Sequence, residues 1–179
     1  MRPLPEQITT ARLQLRQPEA SDAAAIFRAY AQDADVCKYM VWTPHASEAA
    51  TRDFITSCIG AWHAGNRLPF ILTEHSSNLA IGMLEARWSG TMIDVGYVLA
   101  KAHWGKGLMP EAVTALTAAA LANDRIDRVQ ATCDVDNLPS QRTLEKSGFV
   151  REGRMERHAI LPNLSPQPRA ALLYAKCRG

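Results

Sequence analysis

The stretch Tyr97 to Ala112, YVLAKAHWGKGLMPEA, decides how the chain folds. Leading into it, Ile93 to Leu99 is an apolar run that predicts a strand. A short Lys/His/Gly turn then opens a helix whose first residues include Pro110 and Glu111. Proline is tolerated in a first helical turn, and a carboxylate there complements the positive end of the helix dipole. Gly105 and Gly107 leave backbone N–H groups uncovered where a helix N-terminus aims its unpaired donors. Such a corner suits a pyrophosphate or another anion. Taken alone, the GKG triplet is also satisfied by an ordinary strand-to-helix bend. It matches neither the P-loop nor the GxGxxG dinucleotide pattern.

Working outward, the first strand is RLQLR, Arg12 to Arg16, with Leu13 and Leu15 on one face. Ser21 and Asp22 offer an N-cap to a first helix carrying Ile26 and Tyr30. The hydrophobic loop Tyr39 to Pro44 precedes a second helix, capped near Ser47, with Phe54, Cys58 and Trp62 at four-residue spacing and Gly65 to end it. Trp42 and Trp62 are candidates for an acceptor pocket, and the helical spacing gives Trp62 to the core. Pro69 to Glu74 and Leu79 to Arg87 predict a hairpin across HSSN, and Ser89–Gly90 turns into the strand ending at Leu99. Ala112, Leu116 and Ala120 share one face of the long helix, which Asn123 and Asp124 terminate. Val129, Ala131, Cys133 and Val135 alternate on the next strand, Asn137 to Ser140 is a turn, and Gln141 to Ser147 is a short helix closed by Gly148. Two last strands, around Phe149 to Ile160 and Arg169 to Arg178, flank a Pro-rich loop. A meander, a helix, then strand, helix and strands predict α+β with a mixed sheet in one domain, residues 1–179.

Composition sets bounds. A length of 179 residues with 47% hydrophobic content suits one domain with a full core. A net charge of +2 with scattered basic residues gives no nucleic-acid arm. No run approaches the roughly 18 apolar residues of a membrane span, and MRPLPEQ lacks a signal-peptide core, so a cytoplasmic protein is expected. Cys37, Cys58, Cys133 and Cys177 show no CxxC spacing and read as free, buried thiols in a reducing compartment.

Three segments in order, IDVGYVL (93–99), HWGKGLMPEAV (103–113) and CDVDNLPSQRTLEKSGF (133–149), closely resemble the GNAT superfamily of acyl-CoA N-acyltransferases. The opening ITTARLQLRQPEASDAAAIF (8–27) and the closing ALLYAKCR (171–178) fit the same pattern, so the resemblance spans almost the whole chain. Within the superfamily it is most similar to the branch containing bacterial ribosomal-protein N-terminal (alanine/serine) acetyltransferases.

The resemblance implies a GNAT fold: a mostly antiparallel twisted sheet of about seven strands, flanked by helices, with a splay between the two central strands that bear Val95 and Cys133. It implies an N-acetyltransferase that uses acetyl-CoA as co-substrate, with no metal. The acceptor is an amine, on a small molecule or a protein N-terminus, and transfer is by direct attack in a ternary complex. Neither nucleic acid nor membrane is implied as a partner, and a homodimer is the default for a soluble enzyme. The N–H groups of Trp104, Gly105, Lys106, Gly107, Leu108 and Met109 would wrap the pyrophosphate, and the backbone of Tyr97, Val98 and Leu99 would pair with pantetheine. The family pattern is Gln or Arg, two residues, Gly, one residue, then Gly or Ala; here Trp104 replaces the first member and Met109 the last. Asn137 would hydrogen-bond the pantetheine, although Asn and Ser also favour turn and cap positions. Asp94 is the candidate general base. Where some ribosomal-type relatives carry a glutamate this chain has Ala159, with Glu156 and His158 close by. Leu144 occupies the place of the superfamily's tyrosine acid, and Ser140 matches the serine that serves in the ribosomal-type branch. The absent glutamate leaves a competing expectation, a degenerate GNAT domain that binds acyl-CoA as a sensor or interaction module.

Overall fold

In a computed structural model, which describes residues 2–65 and 67–179, the strand expected before the glycine turn is the fifth of eight. The order is β1 (Gln7–Thr9), β2 (Leu13–Arg16), α1 (Asp22–Ile26) continuing as a π-helical turn Phe27–Ala31, α2 (Ala34–Cys37), α3 (Glu48–Ala64), β3 (Arg67–Glu74), β4 (Ala80–Ser89) and β5 (Met92–Leu99). Then come a 3₁₀ turn Lys101–His103, α4 (Leu108–Leu121), β6 (Arg128–Asp134), α5 (Leu138–Lys146), β7 (Val150–Ala159) and β8 (Arg169–Cys177). The described strands form one sheet in the order β1-β2-β3-β4-β5-β6-β8-β7. The expected α+β architecture is present, with one strand more than the seven or so expected. The addition is β1, three residues paired antiparallel with β2 and too short to announce itself by alternation.

Every adjacent pair is antiparallel except β5 and β6, which run parallel and are joined through α4, as a parallel pair requires. Their ladder is short: Met92↔Arg128, Ile93↔Val129 and Asp94↔Gln130. Beyond Asp94, β5 stays paired with β4 as far as Gly82↔Leu99, and β6 with β8 as far as Asp134↔Ala171. The expected splay is therefore present, and it opens immediately after Asp94. Gly82 sets the tight side of the fork, because a Cβ there would lie 2.5 Å from the carbonyl oxygen of Val98.

Strand residues alternate between two cores. Phe70, Leu72, Leu84, Ile93 and Val95 pack with Ala112, Val113, Leu116 and Ala120 of α4. Ile71, Met83 and Val98 pack with Ile26, Tyr30, Ile55 and Cys58 on the opposite face. Ser47 caps α3 by accepting from the Ala50 amide at 3.2 Å, and Gly65 ends it at φ 82°. Trp62 is core, 4.9 Å from Phe70 between ring centroids.

Local expectations shift in four places. The Ser21 side chain makes no cap bond; Asp22 instead pairs with Arg16 at 2.7 Å and accepts from the Glu19 amide at 2.8 Å. Helix α4 ends at Leu121, and Asn123 donates to the Pro3 carbonyl. Helix α5 starts at Leu138 rather than Gln141, because Asn137 is its cap and proline suits a first helical turn. Cys177 is exposed while the other three cysteines are buried, all four free. Among the described residues no helix is long and apolar enough to cross a membrane.

Candidate active site

The splay opens into a cavity of about 1300 Å³ that runs from the N-terminus of α4, along β5, to the far side of the sheet. Every sequence-derived candidate from Asp94 to Ser140 lies along it except Lys106, which is exposed and does not line it. At one end Gly105 and Gly107 stand at φ 74° and 73°, left-handed values that cost other residues about 1–2 kcal/mol. Gly107 is the N-cap of the fourteen-residue α4 and has no side chain to cover the first amides. Leu108 and Met109 bury their side chains. Trp104 does more than fill a place: its indole N–H donates to the Leu99 carbonyl at 2.8 Å and pins the turn against the end of β5.

Glu111 has a different partner from the helix dipole alone. The Arg12 Nε donates to its Oε2 at 2.7 Å, and the Arg12 amide and Thr10 hydroxyl donate to its Oε1 at 2.9 and 2.6 Å. The same guanidinium donates through Nη1 to the Lys106 carbonyl at 2.8 Å. Burial acts to raise the Glu111 carboxyl, and the bonds from Thr10 and Arg12 outweigh it, leaving the group below its ordinary value. Arg12 thus clamps the glycine turn to the β1–β2 loop. In sequence Arg12 is only a charged residue next to an apolar strand, a common pattern that carries no signal for this contact.

At the fork sits Asp94, cross-strand partner of both Arg87 and Gln130. Arg87 donates from Nε to Asp94 Oδ1 at 3.2 Å and contacts the same oxygen through Nη2. It also reaches Glu85 at 2.9 Å, which in turn pairs with Arg67. The Asp94 Oδ2 has a 3.5 Å contact from Gln130. Asp94 is consequently one member of a row of alternating charges, its Oδ1 held by Arg87 and its Oδ2 reached only at 3.5 Å by Gln130. Glu156 pairs with Arg154 at 2.5 Å on the outer strand and does not line the cavity, whereas His158 and Ala159 do.

Across the gap, Asn137 accepts from the Ser140 amide at 3.3 Å through Oδ1, so Asn137 is the helix cap and Ser140 lies in the first turn. The Tyr97 hydroxyl bridges from β5 to Ser140, 2.7 Å from Oγ and 3.3 Å from the carbonyl oxygen. Nearby, burial pushes the Cys133 thiol up to about 11, with its bond to Ser140 opposing in part. The sequence pattern assigns Tyr97 a backbone role only and gives no signal for its hydroxyl.

The loop around Tyr39 to His45 and the Pro-rich loop between β7 and β8 come together. Asn163 donates through Nδ2 to the Cys37 and Trp42 carbonyls at 2.6 and 2.8 Å, and Tyr39 donates to the Asp136 carbonyl at 3.1 Å. Trp42 and His45 line the cavity with ring centroids 5.2 Å apart.

A GNAT acetyltransferase domain model matches residues 12–150. The chain belongs to the GNAT family of acetyltransferases. It is 30% identical over 151 residues to an uncharacterized N-acetyltransferase, p20, of Bacillus licheniformis, covering 83% of this chain and 84% of that one. A GNAT acetyltransferase from Bacillus anthracis superimposes with a TM-score of 0.83 at 26% identity, covering 96% and 98% of the two chains. RimL, a ribosomal L7/L12 α-N-protein acetyltransferase solved in complex with coenzyme A, shares the fold at a TM-score of 0.84 and 22% identity, covering 96% and 98%. As a GNAT member the protein is an acetyl-CoA-dependent acetyltransferase, and the degenerate-domain alternative is not favoured.

The residues present fit the cofactor. Two left-handed glycines and a bare helix N-terminus suit a pyrophosphate, and the unpaired edges beyond Asp94 suit an extended amide chain.

Proposed function

We propose that this GNAT enzyme acetylates a primary amine, either a protein N-terminal α-amine or an amine on a small molecule, by direct attack within a ternary complex. The observation that carries the reading is the end of β5–β6 pairing at Asp94↔Gln130, with a cavity continuing past it to both faces of the sheet. The donor and the acceptor can then approach one point from opposite sides. Bound acetyl-CoA supplies an activated acetyl thioester.

The turn from Trp104 to Met109 holds the pyrophosphate, and the backbone from Tyr97 to Leu99, with Asn137 opposite, holds the pantetheine. Asp94 receives the amine through Oδ2, the oxygen that Arg87 leaves uncovered. An α-amine with a pKa of roughly 7.7–8.0 asks less of a base than a lysine at about 10.4. Ser140 donates its hydroxyl proton to the departing thiolate sulfur. A thiol pKa of roughly 8.5, taken from cysteine, makes that donation a moderate contribution.

The test is thiol release from acetyl-CoA measured against a panel of amines, including short peptides with free N-termini. Amine-dependent release supports the reading. Tight acetyl-CoA binding with no release by any amine would sink it and leave a binding module.

A further inference from the structure

We propose that Tyr97 is a positioning residue for the acyl transfer: its hydroxyl donates to Ser140 Oγ and so turns the Ser140 proton toward the splay. The inference rests on Ser140 being the thiolate's proton donor.

The geometry comes from comparing hydroxyls on one helix. Thr143 and Ser147 of the α5 segment each donate back along the helix to the carbonyl four residues earlier, at 3.0 and 2.9 Å. That back-bond is the ordinary fate of a helical hydroxyl. Ser140 has no such bond. The carbonyl four residues before it, Asp136, already accepts from the Leu138 amide at 3.0 Å and from the Tyr39 hydroxyl at 3.1 Å. Ser140 Oγ instead lies 2.7 Å from the Tyr97 hydroxyl, the usual length for O–H···O.

One of the two oxygens must donate. If Tyr97 gives its proton to Oγ rather than to the Ser140 carbonyl, which lies farther away at 3.3 Å, the Ser140 proton is left to point into the splay, where Cys133 and the cavity lie. Burial raises the Tyr97 hydroxyl far above its ordinary value, more than its bond to Ser140 lowers it. Tyr97 therefore keeps its proton and orients Ser140 rather than relaying. In the transfer, the amine nitrogen bonds to the acetyl carbon and the carbon–sulfur bond breaks with its electron pair going to sulfur. Ser140 supplies that sulfur with a proton and is reprotonated from water, while the amine's surplus proton leaves by way of Asp94.

The experiment is a double-mutant cycle of Tyr97→Phe and Ser140→Ala, read in kcat, KM for acetyl-CoA, acetyl-CoA affinity by calorimetry, and melting temperature. Tyr97→Phe should lower kcat on the order of twofold to tenfold, the worth of one hydrogen bond, with affinity for acetyl-CoA held within about twofold. In the Ser140→Ala background the same change should cost nothing further. Tyr97→Leu, which also lacks the hydroxyl, should show the same non-additivity and guards against a folding defect peculiar to one variant. An equal loss in both backgrounds, or a loss that appears in affinity instead of kcat, would overturn the assignment of Tyr97. A normal rate for Ser140→Ala alone would remove Ser140 as the donor, and the role of Tyr97 with it.

Discussion

Arg12 and Glu111 lie ninety-nine residues apart in the chain and meet through a guanidinium nitrogen at 2.7 Å, on the outside of the glycine turn that opens α4. The contact ties the first strand pair to the anion end of the cavity. Arg12→Ala should therefore raise KM for acetyl-CoA on the order of tenfold, through loss of charge-assisted bonds, while kcat at saturation stays near wild type. Arg12→Lys should recover only part, since an ammonium cannot serve Glu111 and the Lys106 carbonyl with one rigid fork. Steady-state kinetics with calorimetry read this; a fall in kcat at constant KM would place the clamp outside cofactor binding.

Gly107→Val should abolish acetyl-CoA binding and leave the fold intact. The site demands φ 73°, and a Cβ there would meet only Arg12 Nη2, at 3.6 Å, so the protein itself has room. What a valine side chain would fill is the approach to the helix N-terminus. Calorimetry beside circular dichroism checks both halves, and unchanged affinity would mean that the turn is a bend and nothing more.

Asp94→Asn should reduce kcat more than it alters KM for acetyl-CoA and change the acid limb of the pH profile, where a general base loses function by protonation. Removing a general base costs about 10²–10⁴-fold. A loss under about tenfold with the profile unmoved would make Asp94 a partner for Arg87 alone, and His158 would be the next residue to test.

Acid should weaken the fold through Asp134. Burial acts to raise this carboxyl, and the Arg169 guanidinium at 2.6 Å with the Asp136 amide at 3.0 Å outweighs it, so the folded value is lowered. A lowered folded pKa contributes stability that is complete above the unfolded value, about 3.9, and is lost as pH falls from there through the folded one. Melting temperature should drop below about pH 4, and Asp134→Asn, less stable at neutral pH, should show a shallower acid slope. Parallel slopes for the two proteins would refute the assignment.

Much of this was legible in the chain. The run into Leu99, two glycines and a proline in the first helical turn specify β5, the bend and α4 by local conformational rules, and those rules held. The splay beside Val95 and Cys133 followed from resemblance, not from periodicity, which has no signal for where two strands stop pairing. The rest depended on contacts between distant segments. Nothing in RLQLR says that Arg12 will reach Glu111, and alternation puts Tyr97 on a face without saying that its hydroxyl ends beside Ser140. Helix α5 starts three residues before Gln141 because Asn-Leu-Pro-Ser suits both a turn and a capped first helical turn, and only tertiary packing decides between them.

The brevity of the β5–β6 ladder also has a mechanical side. A ladder of three residue pairs, continued at its closed end by the Asp127 amide donating to the Thr91 carbonyl at 2.8 Å, joins a five-stranded leaf to a three-stranded leaf. Beyond the ladder the leaves are held by struts at the open end, Tyr39 to Asp136 and Tyr97 to Ser140, together with the packing of α4 and α5. A sheet joined in this way is a book with a short binding. Its amides along Val95–Leu99 and Ala131–Asp134 that face the opening should exchange with solvent long before those facing β4 and β8, and the leaves can breathe by flexing at Asp94 without breaking either one.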